Sequence, residues 1–308
     1  MIITVTMNPA IDKSAEAASI VPGSLNRLSN IVSCAGGKGI NVSKMISALG
    51  GESVATGFLG GSAGRDILAE LADLQIKTDF VNIGGNTRVN LKVLCEDFGI
   101  TEFNEPGPTI TAAEVDALQK KLLEYAGPGN IFVFSGSLPQ GVDCDIYKHM
   151  ICEVKKRGAY AYLDADGKAF SAAVLAKPDY VKPNKYELLQ HFCLQGNCTL
   201  DEYAGLCRKL INQGIKMVNL SMGEEGALFV TGQELLYAPG LKVNAVSTVG
   251  AGDSMVGAIA YGFSRGMSLK DTAALAMAAS AGAVTTKGSN PPTKEIVDEL
   301  SKSVVFFA

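Results

Sequence analysis

The chain has 308 residues, 47% of them apolar, and a formal net charge of −4. That length and apolar content suit one large α/β domain spanning residues 1–308. The mild acidity, with no run of Lys or Arg, excludes a nucleic-acid footprint, and no apolar run reaches membrane-spanning length.

The chain opens on an apolar strand with no basic segment ahead of it, so a secretory leader is not expected. Asp12 follows the turn Asn8-Pro9-Ala10-Ile11, where its carboxylate could accept hydrogen bonds from sugar hydroxyls. Residues around 12–33, and again around 86–104, are polar and lack helical periodicity. Both segments read as extended and are expected to form a small sheet projecting from the main body. Such a sheet would serve as a lid or pair with another subunit, because bare strand edges are a liability.

Between those segments lies Gly36-Gly37-Lys38-Gly39-Ile40-Asn41-Val42, a glycine turn ahead of a helix marked by Val42, Met45, Ile46 and Leu49 and stopped by Gly50-Gly51. Glycines that permit close approach, a Lys charge and an Asn amide suit a phosphorylated polyol, although the same turn could simply be tight, with a solvated Lys. Ile67, Leu68, Leu71 and Leu74 mark the next helix. In Thr87-Arg88-Val89-Asn90-Leu91-Lys92-Val93 the strand period puts Arg88, Asn90 and Lys92 on one face and the apolar residues on the other. Two cations and an amide in a row, with no acid in that strand, form a candidate phosphate site.

Thr111 to Glu114 is a capping box, and Thr199 to Glu202 looks like a second. Four apolar strands then end on polar residues: Ile131–Phe134 before Ser135-Gly136-Ser137, Ala159–Leu163 before Asp164, Tyr180-Val181 before Lys182-Pro183-Asn184, and Met217–Leu220 before Ser221, Gly223 and Gly226. Short strands alternating with helical patterns predict a mainly parallel sheet. In such sheets ligands bind outside the carboxyl ends of the strands, so one polar crevice is expected there. Asn184 and Glu187 share a helical face; they are either a capping pair or, with Asp164, a magnesium site working through waters. The Ala-rich run from Ala273 to Val284 suits tight helix packing.

Ser247-Thr248-Val249-Gly250-Ala251-Gly252-Asp253 carries the most chemistry. A glycine turn opens into a helix whose free amides form an anion site. An Asp inside an anion site is out of place in a plain binding loop, but it fits the base that deprotonates a hydroxyl attacking phosphorus. The helix start is expected to lower the pKa of Asp253. Seven cysteines without a Cys-x-x-Cys, and His149 and His191 as the only histidines, point to a reducing, cytoplasmic setting without zinc.

Together these residues resemble the ribokinase-like carbohydrate kinases, the PfkB-type family. Gly36–Val42 and Thr248–Asp253 look like its two signatures, and Ser135–Pro139 and Lys182–Glu187 look like further family motifs. The resemblance covers essentially the whole chain, with Ser43 standing where the signature usually has Ala. It implies a three-layer α/β/α sandwich with a small β-sheet lid. ATP and magnesium are implied, a monovalent cation is a further candidate, and a homodimer through the lid is the implied assembly. By the same likeness Asp253 would be the base, with Gly250, Ala251 and Gly252 forming the anion hole. Asp12, Gly37, Lys38 and Asn41 would hold the sugar. Arg88, with Asn90, Lys92, Arg27 and Ser137, would hold the phosphate already on it. Asn184, Ser221, Gly223, Gly226 and Gly252 would face the nucleotide, with Glu187 and Asp164 near the metal. Ser247, Thr-Arg-x-Asn-x-Lys at 87–92 and Thr101–Asn104 with Gly107 are similar to the sugar-phosphate kinases of the family. The expected reaction is phosphorylation of fructose 1-phosphate at its 6-hydroxyl. Tagatose 6-phosphate and fructose 6-phosphate are the alternative substrates. A sugar-phosphate sensor without turnover would have no use for Asp253.

Overall fold

The computed structural model describes residues 1–307, except 96 and 98. In chain order the first elements are β1 (Ile2–Thr6), β2 (Ala10–Ala17), β3 (Ser29–Gly36), α1 (Lys38–Ala48), β4 (Ser53–Leu59), α2 (Gly61–Asp73), β5 (Lys77–Thr78), β6 (Val81–Asn82), β7 (Arg88–Cys95) and β8 (Gly99–Asn104). There follow α3 (Ala112–Tyr125), β9 (Ile131–Ser135), α4 (Ile146–Lys156), β10 (Tyr160–Asp164), α5 (Gly167–Val174), β11 (Tyr180–Val181), α6 (Lys185–His191) and α7 (Leu200–Asn212). The last are β12 (Met217–Ser221), β13 (Ala227–Thr231), β14 (Leu235–Ala238), α8 (Ala251–Ser264), α9 (Leu269–Ala283) and α10 (Lys294–Ser301).

The main sheet runs β14-β13-β12-β11-β10-β9-β1-β4-β5, with β6 also pairing β4. From β12 to β5 every pairing is parallel, and β13 and β14 add an antiparallel edge. Strands buried on both faces explain the continuous apolar runs in the sequence. In β9, Phe132 and Phe134 pack toward α3, α4, α5, α6 and α7, whereas Ile131 and Val133 pack toward α1, α8, α9 and α10. The result is the expected three-layer sandwich. Each fully buried Ile, Val or Phe stabilises it by roughly 1.5–3 kcal/mol.

The helix signals act as read. Thr111 with Glu114 and Thr199 with Glu202 form reciprocal capping boxes. The alanines of α9 allow close approach, with Ala273, Ala276, Ala278 and Ala279 fully buried. Gly257 in α8 lies where a Cβ would stand 2.8 Å from the Cβ of Met45, so α1 and α8 nearly touch. No helix among the described residues is long and apolar enough to cross a membrane.

The second sheet has the order β3-β2-β7-β8, with β2 and β7 parallel. It draws on both segments read as extended, but residues 18–28, between β2 and β3, form no strand. Ile11, Ala35 and Ile40 share a small core with Ile67 and Leu71 of α2, which seats the sheet beside the carboxyl ends of the main strands.

Candidate active site

Between those strand ends and the small sheet lies a cavity of about 260 Å³. Asp12, Arg88, Asn90 and Lys92 reach it from the small sheet, Gly37, Lys38 and Asn41 from the start of α1, Ser137 from the loop after β9, and Asp253 from α8. Most of the substrate residues read from sequence therefore converge on one space. Arg27 does not. It is exposed on the loop between β2 and β3 and lines no part of the cavity.

The turn before α8 is built as a cradle. Gly250 takes φ +79°, the left-handed region, and no side chain caps the helix. The first backbone bond of the helix runs from Ser254 N–H to Gly250 C=O at 2.8 Å, leaving the amides of Ala251, Gly252 and Asp253 free for an anion. A Cβ on Gly252 would lie 3.2 Å from Lys182 Nζ, so an ammonium stands beside those amides. This cradle fits phosphate oxygens.

Asp253 is buried and accepts a hydrogen bond from Asn41 Nδ2 at 2.7 Å. The expected lowering of its pKa is overturned. Burial and the nearby Asp164 carboxylate push it up to about 6, against the opposing pull of Lys38, the Asn41 hydrogen bond and Lys182. Desolvation outweighs the helix start because the carboxylate has almost no contact with water. The result is a carboxylate whose affinity for a proton is closer to that of a working base.

Behind it, Lys38 Nζ and Lys182 Nζ lie 3.2 and 3.3 Å from the same Asp164 Oδ1. Burial opposes the Asp164 charge, but Lys182 and Lys38 outweigh it and hold the carboxyl below its ordinary range. Burial likewise opposes the Lys38 charge, but Asp164, Asp253 and Glu187 together keep the ammonium above its ordinary value. The magnesium reading of Asp164 and Glu187, an ion held through waters, falls on side chains that also have protein partners. Asp164 is the counter-ion of two lysines, and Glu187 and Asn184 form a reciprocal capping box on α6. Among the described residues no three His, Cys, Asp or Glu side chains are grouped to hold an ion. That bears on direct ligation alone, since an ion held through waters needs no such cluster.

On the small sheet, Asp12 Oδ1 accepts from Asn90 Nδ2 at 2.9 Å, and Oδ2 packs so closely on Gly36 that a Cβ there would lie 2.2 Å away. Arg88 donates from Nε and Nη2 to the Asn8 carbonyl and from Nη1 to the Glu105 carbonyl, which fixes its fork at the cavity edge. The cations are not without acids. Lys92 pairs with Glu102 at 3.3 Å across the β7–β8 ladder, a partner the strand's own sequence could not reveal.

Ser221 ends β12, with Gly223 and Gly226 in the turn after it, all outside the cavity, and Asn184 bridges to Ser221. Gly226 has a packing reason of its own, since a Cβ would meet Ala238 O at 2.0 Å. Sequence reasoning missed Lys182, Asn8, Glu102 and Asn104. A buried Lys at the end of an apolar strand was the available signal for Lys182.

Residues 3–296 match the model of the pfkB family carbohydrate kinases. The chain belongs to that family. The kinase is 34% identical to the 1-phosphofructokinase of Bacillus subtilis over 99% of this chain and 98% of that one. It is 33% identical to the tagatose-6-phosphate kinase of Staphylococcus epidermidis over 85% of each. Among solved structures, phosphofructokinase-2 from Escherichia coli in complex with potassium superposes with a TM-score of 0.93 at 31% identity, covering 98% of both chains. The sandwich with its second sheet is the ribokinase-like fold that the motifs implied. The protein is an ATP-dependent sugar-phosphate kinase, and its family implies ATP and a divalent metal.

Proposed function

We propose that the kinase phosphorylates fructose 1-phosphate at its 6-hydroxyl, giving fructose 1,6-bisphosphate and ADP. The observation that carries this reading is a buried, proton-seeking carboxylate, Asp253, in the same cavity as the Arg88 and Lys92 cations. In this reading Arg88, Lys92 and Ser137 hold the phosphate already on the ketose. Asp12, Lys38, Asn41 and Asn90 hold its hydroxyls. Asn41 also fixes the Asp253 carboxylate, so the free oxygen faces the incoming alcohol. ATP supplies the phosphoryl group, and a divalent ion, with Glu187 and Asp164 near it through waters, would offset the charge of the phosphates. The alcohol oxygen bonds to the γ-phosphorus as the bond to ADP breaks, and the alcohol proton passes to Asp253. Free amides at residues 251–253, with Lys182 and Lys38, stabilise charge on the transferring group. The measurement is coupled ADP release with fructose 1-phosphate, tagatose 6-phosphate and fructose 6-phosphate. Fructose 1-phosphate should give the highest kcat/KM; equal or better turnover of another member refutes the substrate assignment.

The proposed assembly is a dimer through the small sheet, which closes over the cavity as a lid. From the row of the Lys92–Glu102 pair outward its cavity-side face turns apolar, with Val32 in that row and Leu94 and Ile100 beyond it about half exposed. A second copy of this sheet would bury that patch.

A further inference from the structure

The pair Lys44–Glu70 lies outside the cavity and has no part in the chemistry above. Lys44, on the second turn of α1, has a side chain only 1% exposed. Its Nζ donates to the Ala35 carbonyl at 2.7 Å and to Glu70 Oε1 of α2 at 2.5 Å. The other Glu70 oxygen, Oε2, accepts from the Ala35 amide at 2.6 Å. One ion pair thus satisfies both backbone groups of a single residue.

The position of that residue gives the pair its meaning. β3 is an edge strand, and Ala35 stands opposite Ile11 of β2. Its outward N–H and C=O would otherwise lack strand partners. The next residues are Gly36, against which the Asp12 carboxylate packs, then Gly37 at the helix cap, then Lys38 and Asn41 at the cavity. The chain passes here from the small sheet into the main body, and a rotation about Gly36–Gly37 would separate Asp12 from Lys38 and Asn41.

We propose that Lys44 and Glu70 are positioning residues for the acceptor sugar: their ion pair clamps Ala35 and so holds the Gly36–Asn41 turn in register with Asp12. The assignment rests on the reading of Asp12, Lys38 and Asn41 as sugar-binding residues. Neither Lys44 nor Glu70 lines the cavity, so the clamp acts through the turn: on sugar binding, and on turnover through Lys38 and Asn41.

The test uses Lys44→Met, Glu70→Met, the double variant and Lys44→Arg in the full-length kinase. KM for the best sugar phosphate, KM for ATP, Tm and amide exchange at Ala35 are all measured. Each single variant leaves one charge unpaired, so Tm should fall. The double variant removes both charges and should recover part of that Tm loss, the rest remaining because Ala35 N–H and C=O still lack partners. It should nonetheless keep a sugar-phosphate KM raised by about one to two orders of magnitude and fast exchange at Ala35, while KM for ATP stays within about twofold. Lys44→Arg should preserve both constants. Recovery of the sugar KM together with Tm in the double variant would make the pair a stability device and overturn the proposal. So would unchanged exchange at Ala35. A wild-type enzyme inactive on every sugar phosphate would instead sink the functional reading, and Ala35 exchange would still report on the clamp.

Discussion

Replacing Asp253 by Asn should raise the stability of the protein while removing its activity, and the gain should depend on pH. In the folded chain the carboxyl is pushed from an ordinary 3.8 up to about 6 by burial and by Asp164. The folded state therefore holds this proton more tightly than the unfolded chain does. Stability from this group is fully present below pH 3.8, falls as pH rises, and is lost above about pH 6. At about 1.4 kcal/mol for each pH unit between the two values, the ionised carboxylate costs the fold about 3 kcal/mol at neutral pH. A carboxamide never ionises, and its oxygen can still accept the Asn41 hydrogen bond. With an unfolding entropy of roughly 2.1 cal/mol/K per residue, about 3 kcal/mol corresponds to a Tm shift of about 4–5 °C in a chain of 308 residues. Scanning calorimetry of both proteins from pH 4.5 to 8 should show the Asn variant melting higher at pH 8, with the gap closing toward pH 4.5. A gap constant across that range refutes the argument that desolvation controls Asp253. Turnover of the same variant should fall by several orders of magnitude while sugar-phosphate affinity changes little.

Arg88→Ala removes a fixed cationic fork from the cavity edge and should raise the sugar-phosphate KM by about 10- to 100-fold, as expected for a charge-assisted contact; an unchanged KM in steady-state assays takes Arg88 out of the phosphate site. Gly36→Ala places a methyl 2.2 Å from Asp12 Oδ2. It should displace that carboxylate, lower stability by about 1–3 kcal/mol and raise the sugar KM; wild-type kinetics would show that Asp12 does not need its packing on Gly36. Leu94→Asp puts a charge into the exposed apolar patch of the small sheet and should shift sedimentation from dimer toward monomer. A wild-type protein that sediments as monomer at micromolar concentration removes the proposed lid-to-lid assembly.

Much of this architecture was legible along the chain because it depends on near neighbours. Strand runs such as Ile131–Ser135, the capping boxes at Thr111 and Thr199, the glycine turns at 36–42 and 247–253, and the alternation of Arg88, Asn90 and Lys92 are patterns of a few residues. They placed the crevice at the strand ends and named most of what lines it. Other features were settled only when distant segments met. Lys92 gains Glu102 from the next strand, Lys182 reaches Gly252 from another layer, and Arg27 stays out on its loop. The Asn184–Glu187 spacing fits a cap, which the folded chain forms, whereas the pairing of Asp164 with Lys38 and Lys182 joins segments far apart in sequence. The proton affinity of Asp253 is the sharpest case. The local pattern shows an acid at a helix start, which lowers a pKa; burial in the folded chain raises it. Hydration and the positions of neighbouring charges are set by the whole fold, so the sequence names the base and the tertiary structure decides how basic it is.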